Sequence, residues 1–86
     1  MVGSIEKVIV TDKFERDIKK LRDKRLSRRI DLEAKRLFES PDAGKPLRYG
    51  LKGERTVRIG MYRLIYKREG ADLLLLRFEH RKDVYD

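Results

Sequence analysis

The chain contains no cysteine. That excludes disulfides and thiolate metal sites. One histidine, His80, stands in 86 residues, which excludes a multi-histidine zinc centre. No apolar run approaches the ~18–20 residues of a membrane span, and the N-terminal residues lack the apolar core of a secretory signal. A soluble cytoplasmic protein with no membrane partner is therefore the expectation. Internal repeats, low-complexity segments and linkers are missing too, so one small domain spanning residues 1–86 is expected. A domain of this length buries a modest share of its surface and is marginally stable alone. A bound partner would add to that stability.

Positive charge is present in excess. Lys+Arg number 23 against 15 Asp+Glu, a formal net charge of +8. Such a balance favours nucleic acid, an acidic protein or an anionic membrane as partner, and is equally compatible with a solvated, heat-adapted surface.

Glu6 to Thr11 (EKVIVT) is short and β-branched and predicts a first strand. Thr11 or Asp12 can cap a helix by accepting a backbone N–H left free in the first turn. Asp12 and Glu15 put negative charge near the positive end of its dipole. Phe14, Ile18 and Leu21 keep helical spacing, which predicts a first helix over about Asp12–Arg22. Asp23-Lys24-Arg25 reads as a short link. Leu26, Ile30, Ala34 and Leu37, with Phe38 widening the stripe, predict a second helix over about Leu26–Glu39. Ser40-Pro41 ends it, because the residue before proline avoids helical angles. Two helices so closely joined should lie antiparallel.

The second half reads as strands. Lys45–Leu51 is an irregular or edge strand, since Pro46 and Gly50 interrupt it. Lys52-Gly53-Glu54 is a turn. Val57 and Ile59 alternate with Thr56 and Arg58 in a strand from Arg55. Gly60-Met61 reverses the chain into Tyr62–Arg68. Glu69-Gly70-Ala71 turns it again into Leu73–Phe78, apolar on both faces and hence an interior strand. The expected fold is α+β: an N-terminal strand, an antiparallel helical hairpin, then a three- or four-stranded antiparallel meander packed on the helices. The face away from the helices would carry Arg58, Arg63 and Arg77, with Ile65 and Leu75 as an apolar floor. Arg81 to Tyr85 would leave the last strand at the rim of the sheet.

Those residues suit a phosphate backbone. RNA cleavage through its own 2′-hydroxyl needs that hydroxyl deprotonated, the phosphorane charge stabilised and the leaving oxygen protonated. Guanidinium forks match phosphate oxygens, which makes Arg58, Arg63 and Arg81 candidates. His80 can shuttle a proton near neutral pH. Tyr85 can stack on a base or orient the reacting group. Lys52, Arg55, Arg77 and Lys82 complete a basic RNA-binding surface. Read as residues alone, the same groups fit a solvated sheet face, a structural histidine and a packing tyrosine. A helix-turn-helix or RNA-recognition-motif reading has little support, because no RNP-like aromatic pair stands in a strand and no third helix follows the two.

Three pieces of the chain resemble the RelE/ParE toxin superfamily of toxin–antitoxin modules: VTDKFERDIKKL, PLRYGLKGERTVRIGMYRLIYKRE and LLLLRFEHRKDVY. The likeness runs in order over nearly the whole chain, and the second and third pieces are the most specific. It implies a compact RelE-like α+β fold. It also implies a metal-independent endoribonuclease that cleaves messenger RNA in the ribosomal A site by 2′-hydroxyl attack, without a cofactor. A RelB-like antitoxin would neutralise it, and operator DNA would be bound only through the antitoxin complex. By resemblance Arg58, Arg63 and Arg81 hold or neutralise the phosphate, with Arg81 a candidate proton donor, and Tyr85 positions the nucleotide. The best-known RelE pattern has lysines at the positions of Thr56 and Arg58. Threonine supplies no cation and arginine is a poor base. Lys52, by proximity, and His80, by chemistry, are the substitutes. The alternative is a ParE-like inhibitor of DNA gyrase that acts by protein binding without nuclease chemistry. A third possibility is an RNA-binding module whose basic face only grips the backbone.

Overall fold

The computed structural model describes residues 4–47 and 53–80. In chain order the elements are β1 (Lys7–Val10), α1 (Asp12–Lys19), α2 (Lys24–Glu39), β2 (Lys45–Pro46), β3 (Glu54–Ile59), β4 (Tyr62–Glu69) and β5 (Asp72–His80). One five-stranded sheet has the order β1-β5-β4-β3-β2. The expected meander is its antiparallel part, β2 to β5. β1 closes the far edge by pairing parallel to β5, from Lys7 opposite Asp72 to Val10 opposite Leu75.

Both helices cover one face. Phe14 of α1 and Leu26, Ile30 and Leu37 of α2 share a core with Val57, Ile59, Leu64, Tyr66, Leu73, Leu75 and Phe78. Burying a large apolar side chain of this kind contributes roughly 1.5–3 kcal/mol relative to leaving it exposed. The cluster is therefore the main force holding the helices on the sheet. Phe38, expected on the core stripe, is exposed instead.

Helix ends follow from side-chain caps. Thr11 caps α1, its Oγ1 accepting the Phe14 N–H at 3.1 Å. α2 begins earlier than the apolar spacing predicts, because the Asp23 carboxylate accepts the N–H groups of Arg25 at 3.0 Å and Leu26 at 3.1 Å. Lys24 and Arg25 thus belong to the helix rather than the link. α1 ends three residues sooner than expected; Arg22 turns the chain at φ 48. Gly60 and Gly70, at φ 62 and 59, supply the turns between β3, β4 and β5, where other residues would be strained.

A β-bulge decides which side chains face which way. Ile65 pairs with Arg77 but Tyr66 pairs with Leu75, so Leu76 is an extra residue in β5. The alternation changes phase there. Leu73 and Leu75 enter the helix-side core, while Arg77 stays on the opposite face with Ile65. The expectation that Leu75 forms a floor beside Ile65 is thereby corrected; Leu74, opposite Lys67, takes that face. Leu74 and Leu76 are only half-buried, so β5 is an interior strand without being dry on both sides. Thr11 anchors the bulge: its hydroxyl is shared between the carbonyls of Leu75 at 3.0 Å and Leu76 at 2.8 Å. Beyond the end of β1, the buried Asp17 of α1 accepts the Phe78 N–H at 2.9 Å, standing in for the missing neighbour strand.

Candidate active site

Antiparallel partners directly opposite each other project to the same face. Arg58 pairs with Arg63, and Thr56 with Ile65, so these four share the face away from the helices. Like charges directly opposite on adjacent strands are unfavourable; Arg63 also has Glu79 opposite it on β5. Among the described residues Arg58 is exposed and has no ion-pair partner. Both arginines line a cleft of about 570 Å³ at the β2–β3 edge, with Arg36, Ala43, Gly44, Lys45, Pro46, Leu47, Thr56 and Val57. The charged side chains on that wall are Arg36, Lys45, Arg58 and Arg63, with no described acid among them. Such a wall selects anions. Thr56 Oγ1 is buried there without a hydrogen-bond partner.

The β2 side of the cleft is held from the core. Tyr66 is fully buried, and its hydroxyl donates to the Pro41 carbonyl at 2.6 Å and accepts the Gly44 N–H at 2.9 Å. Burial raises the Tyr66 pKa above its ordinary value of 10.0, opposed by the Gly44 N–H, so the hydroxyl stays protonated. A side chain at Gly44 would meet Tyr66 Oη at 2.6 Å and Cε1 at 2.7 Å, which explains the glycine.

The remaining candidates divide. Arg55 faces the helix side and ties down the same loop: its Nη1 donates to the Gly44 carbonyl at 2.7 Å, and Asp42 lies 3.8 Å away. It projects to the side of the sheet opposite Arg58 and Arg63. Arg77 does face away from the helices, but it is ion-paired to the buried Glu54 at 2.9 Å and to Glu79 at 3.1 Å. The Glu54 hydrogen bond outweighs desolvation and raises its pKa, so the charge is permanent yet already balanced. Sequence spacing assigned Glu54 to a turn; it begins β3 and balances that arginine.

His80 pairs with Tyr62, and their rings meet edge to face at 5.2 Å. That puts His80 on the helix side, with Lys13, Asp17 and Lys20 lining the same hollow. The structure does not bring it to Arg58 and Arg63, because β5 shows alternate residues to opposite faces and only Glu79 of this pair shares theirs. Lys52, Arg81, Lys82 and Tyr85 lie outside the described residues. Lys45 and Arg36 were missed by sequence reasoning. The signal for Lys45 is its place in an edge strand before Pro46, which cannot reveal the register against β3.

Comparison with known proteins gives concordant results. Residues 8–85 match the family described as ParE toxin of type II toxin-antitoxin system, parDE. Toxin RelG of Mycobacterium tuberculosis is 36% identical over 78 residues, covering 87% of this chain and 90% of that protein. The toxin-antitoxin complex RelBE2 from Mycobacterium tuberculosis has a chain that superposes with a TM-score of 0.72 at 32% identity, covering 91% of this chain and 93% of that one. The RelB-RelE antitoxin-toxin complex from Methanococcus jannaschii gives a TM-score of 0.72 at 23% identity, over 91% and 95% of the two chains, a likeness of fold.

Proposed function

Because this chain belongs to the RelE/ParE superfamily of type II toxin–antitoxin toxins, we propose that it is a messenger-RNA interferase, cutting ribosome-bound message by 2′-hydroxyl attack at the Arg58–Arg63 cleft. The observation that carries this reading is the pair of arginines set opposite each other on the face that neither helix covers. Their guanidinium groups hold the scissile phosphate and neutralise the charge that grows on it during attack. Fixed donors aimed at developing charge are commonly the largest single contribution to such a reaction. Lys52 is assigned the proton leaving the attacking 2′-hydroxyl, Arg81 the proton for the leaving 5′-oxygen, and Tyr85 the positioning of the nucleotide. His80, on the other side of the sheet, takes no part.

The same basic cleft suits an acidic, partly disordered antitoxin that folds on binding. The structural relatives are toxin-antitoxin complexes, which supports a RelB-like partner for this chain. Operator DNA would be bound only by that complex. The toxin is taken as a single domain over residues 1–86 acting in the cytoplasm.

A second reading, inhibition of DNA gyrase by protein binding, draws on the ParE description of the matching family. The two are separated in a reconstituted translation system, with and without ribosomes, by primer extension on the message, and by gyrase supercoiling in parallel. Ribosome-dependent cuts that disappear in Arg63→Ala are expected. Intact message with blocked supercoiling would move the protein to the gyrase reading.

A further inference from the structure

The four cations of the cleft come from four elements, and two of them, Arg36 on α2 and Lys45 on β2, fit no part of the catalytic assignment above. Lys45 lies in the two-residue edge strand β2, directly opposite Thr56 of β3. Opposite antiparallel partners share a face, so Lys45 projects with Thr56 and Arg58 away from the helices. Arg58 is its diagonal neighbour, a separation of roughly 7–8 Å that long side chains readily bridge. Lys45 is exposed and has no ion-pair partner among the described residues. Thr56, opposite Lys45, keeps its hydroxyl buried beneath this surface. Two exposed cations without an ion-pair partner among the described residues, on one face and lining one cleft, make a place for a second anion. His80 faces the helices, and Lys52 lies outside the described residues.

We propose that Lys45 is a substrate-contacting residue, whose ammonium holds the phosphodiester next to the one gripped by Arg58 and Arg63. The RNA strand then crosses the β2 edge of the sheet. The loop behind β2, anchored at the buried Gly44, serves this contact. Tyr66 and Arg55 fix Gly44, and Gly44 precedes Lys45. This inference rests on the RNA reading of the cleft.

The test is the salt dependence of binding to a short fluorescein-labelled single-stranded RNA carrying 2′-deoxy sugars, which resists cleavage, followed by anisotropy. Each phosphate contact on a single strand contributes about 0.7 to the slope of log affinity against log salt. Lys45→Gln should shallow the slope by about that amount and Lys45→Arg should keep it. Lys19→Gln, the same charge change on α1, should leave it unaltered. An unchanged slope in Lys45→Gln, with a shallower one in Arg58→Gln, removes Lys45 from the path and leaves the cleft reading standing. Equal losses from Lys45→Gln and Lys19→Gln would mean a response to net charge alone and overturn the assignment. Should wild-type protein fail to bind at the lowest salt, or should Arg58→Gln and Lys45→Gln both be silent, the RNA reading falls with it.

Discussion

Replacing Tyr66 with phenylalanine tests whether the cleft is built from the core outward. The substitution keeps the ring in its fully buried site and removes one oxygen. That oxygen donates to the Pro41 carbonyl at 2.6 Å and accepts the Gly44 N–H at 2.9 Å. Each hydrogen bond contributes about 0.5–1.5 kcal/mol net, and the orphaned Gly44 N–H adds a share of its desolvation penalty. Together these give a loss of roughly 2–3 kcal/mol, to be read from the urea midpoint at unchanged m-value. The pH dependence is a second check. Burial raises the Tyr66 pKa in the folded state, so above about pH 10 the unfolded chain sheds a proton that the folded chain retains. Fewer protons on the unfolded state mean stability that falls with rising pH. The contribution is complete below about pH 10 and is lost as pH climbs through the raised value. The gap between wild type and Tyr66→Phe should therefore narrow on the alkaline side, lysine titration being common to both. A cost below about 0.5 kcal/mol, or a gap that stays constant through the alkaline range, would refute the idea that this hydroxyl anchors the loop.

Other substitutions should separate support from chemistry. Gly44→Ala forces a methyl group against the Tyr66 ring and should cost at least about 1–3 kcal/mol in thermal or urea unfolding, with wild-type stability counting against the contact. Arg77→Met leaves the buried Glu54 without its partner; since the arginine is partly exposed, a loss of roughly 2–3 kcal/mol is expected, below the usual range for a buried pair. The RNA salt slope of that variant should not change, and a shallower one would return Arg77 to the binding face. Arg58→Gln removes one of two like charges set opposite each other and should raise stability by roughly 0.2–1 kcal/mol while lowering cleavage. A variant that loses both stability and activity would contradict this. Thr11→Val removes the cap of α1 and the anchor of the bulge, for a loss of about 1–2 kcal/mol measured by chemical denaturation.

Local pattern was enough for the elements themselves. Period-two alternation in ERTVRI and YRLIYKR, helical spacing in Phe14-Ile18 and Leu26-Ile30, and turns at Gly60 and Gly70 are short-range properties, and each reappears in the structure close to where the residues imply it. The opposition of Arg58 and Arg63 was legible for the same reason: a tight turn sets the register of the hairpin that carries them. Long-range pairing was not. The parallel docking of β1 on β5 joins residues more than sixty positions apart, and no local signal encodes it. The bulge at Leu76 is invisible in a run of four leucines, yet it moves Leu75 into the core and keeps Arg77 out of it. Arg77 and Arg55 read as free cations until the tertiary structure supplies Glu54 and Gly44 as partners. His80 carries a proton-shuttling ring on the helix side of the sheet, away from Arg58 and Arg63. Lys45 has an unremarkable sequence context, and only its register against β3 sets it opposite Thr56. Residue types and their local spacing determine which chemistry is available; the pairing of distant strands decides which groups meet, because one residue of register moves a side chain to the opposite side of the sheet.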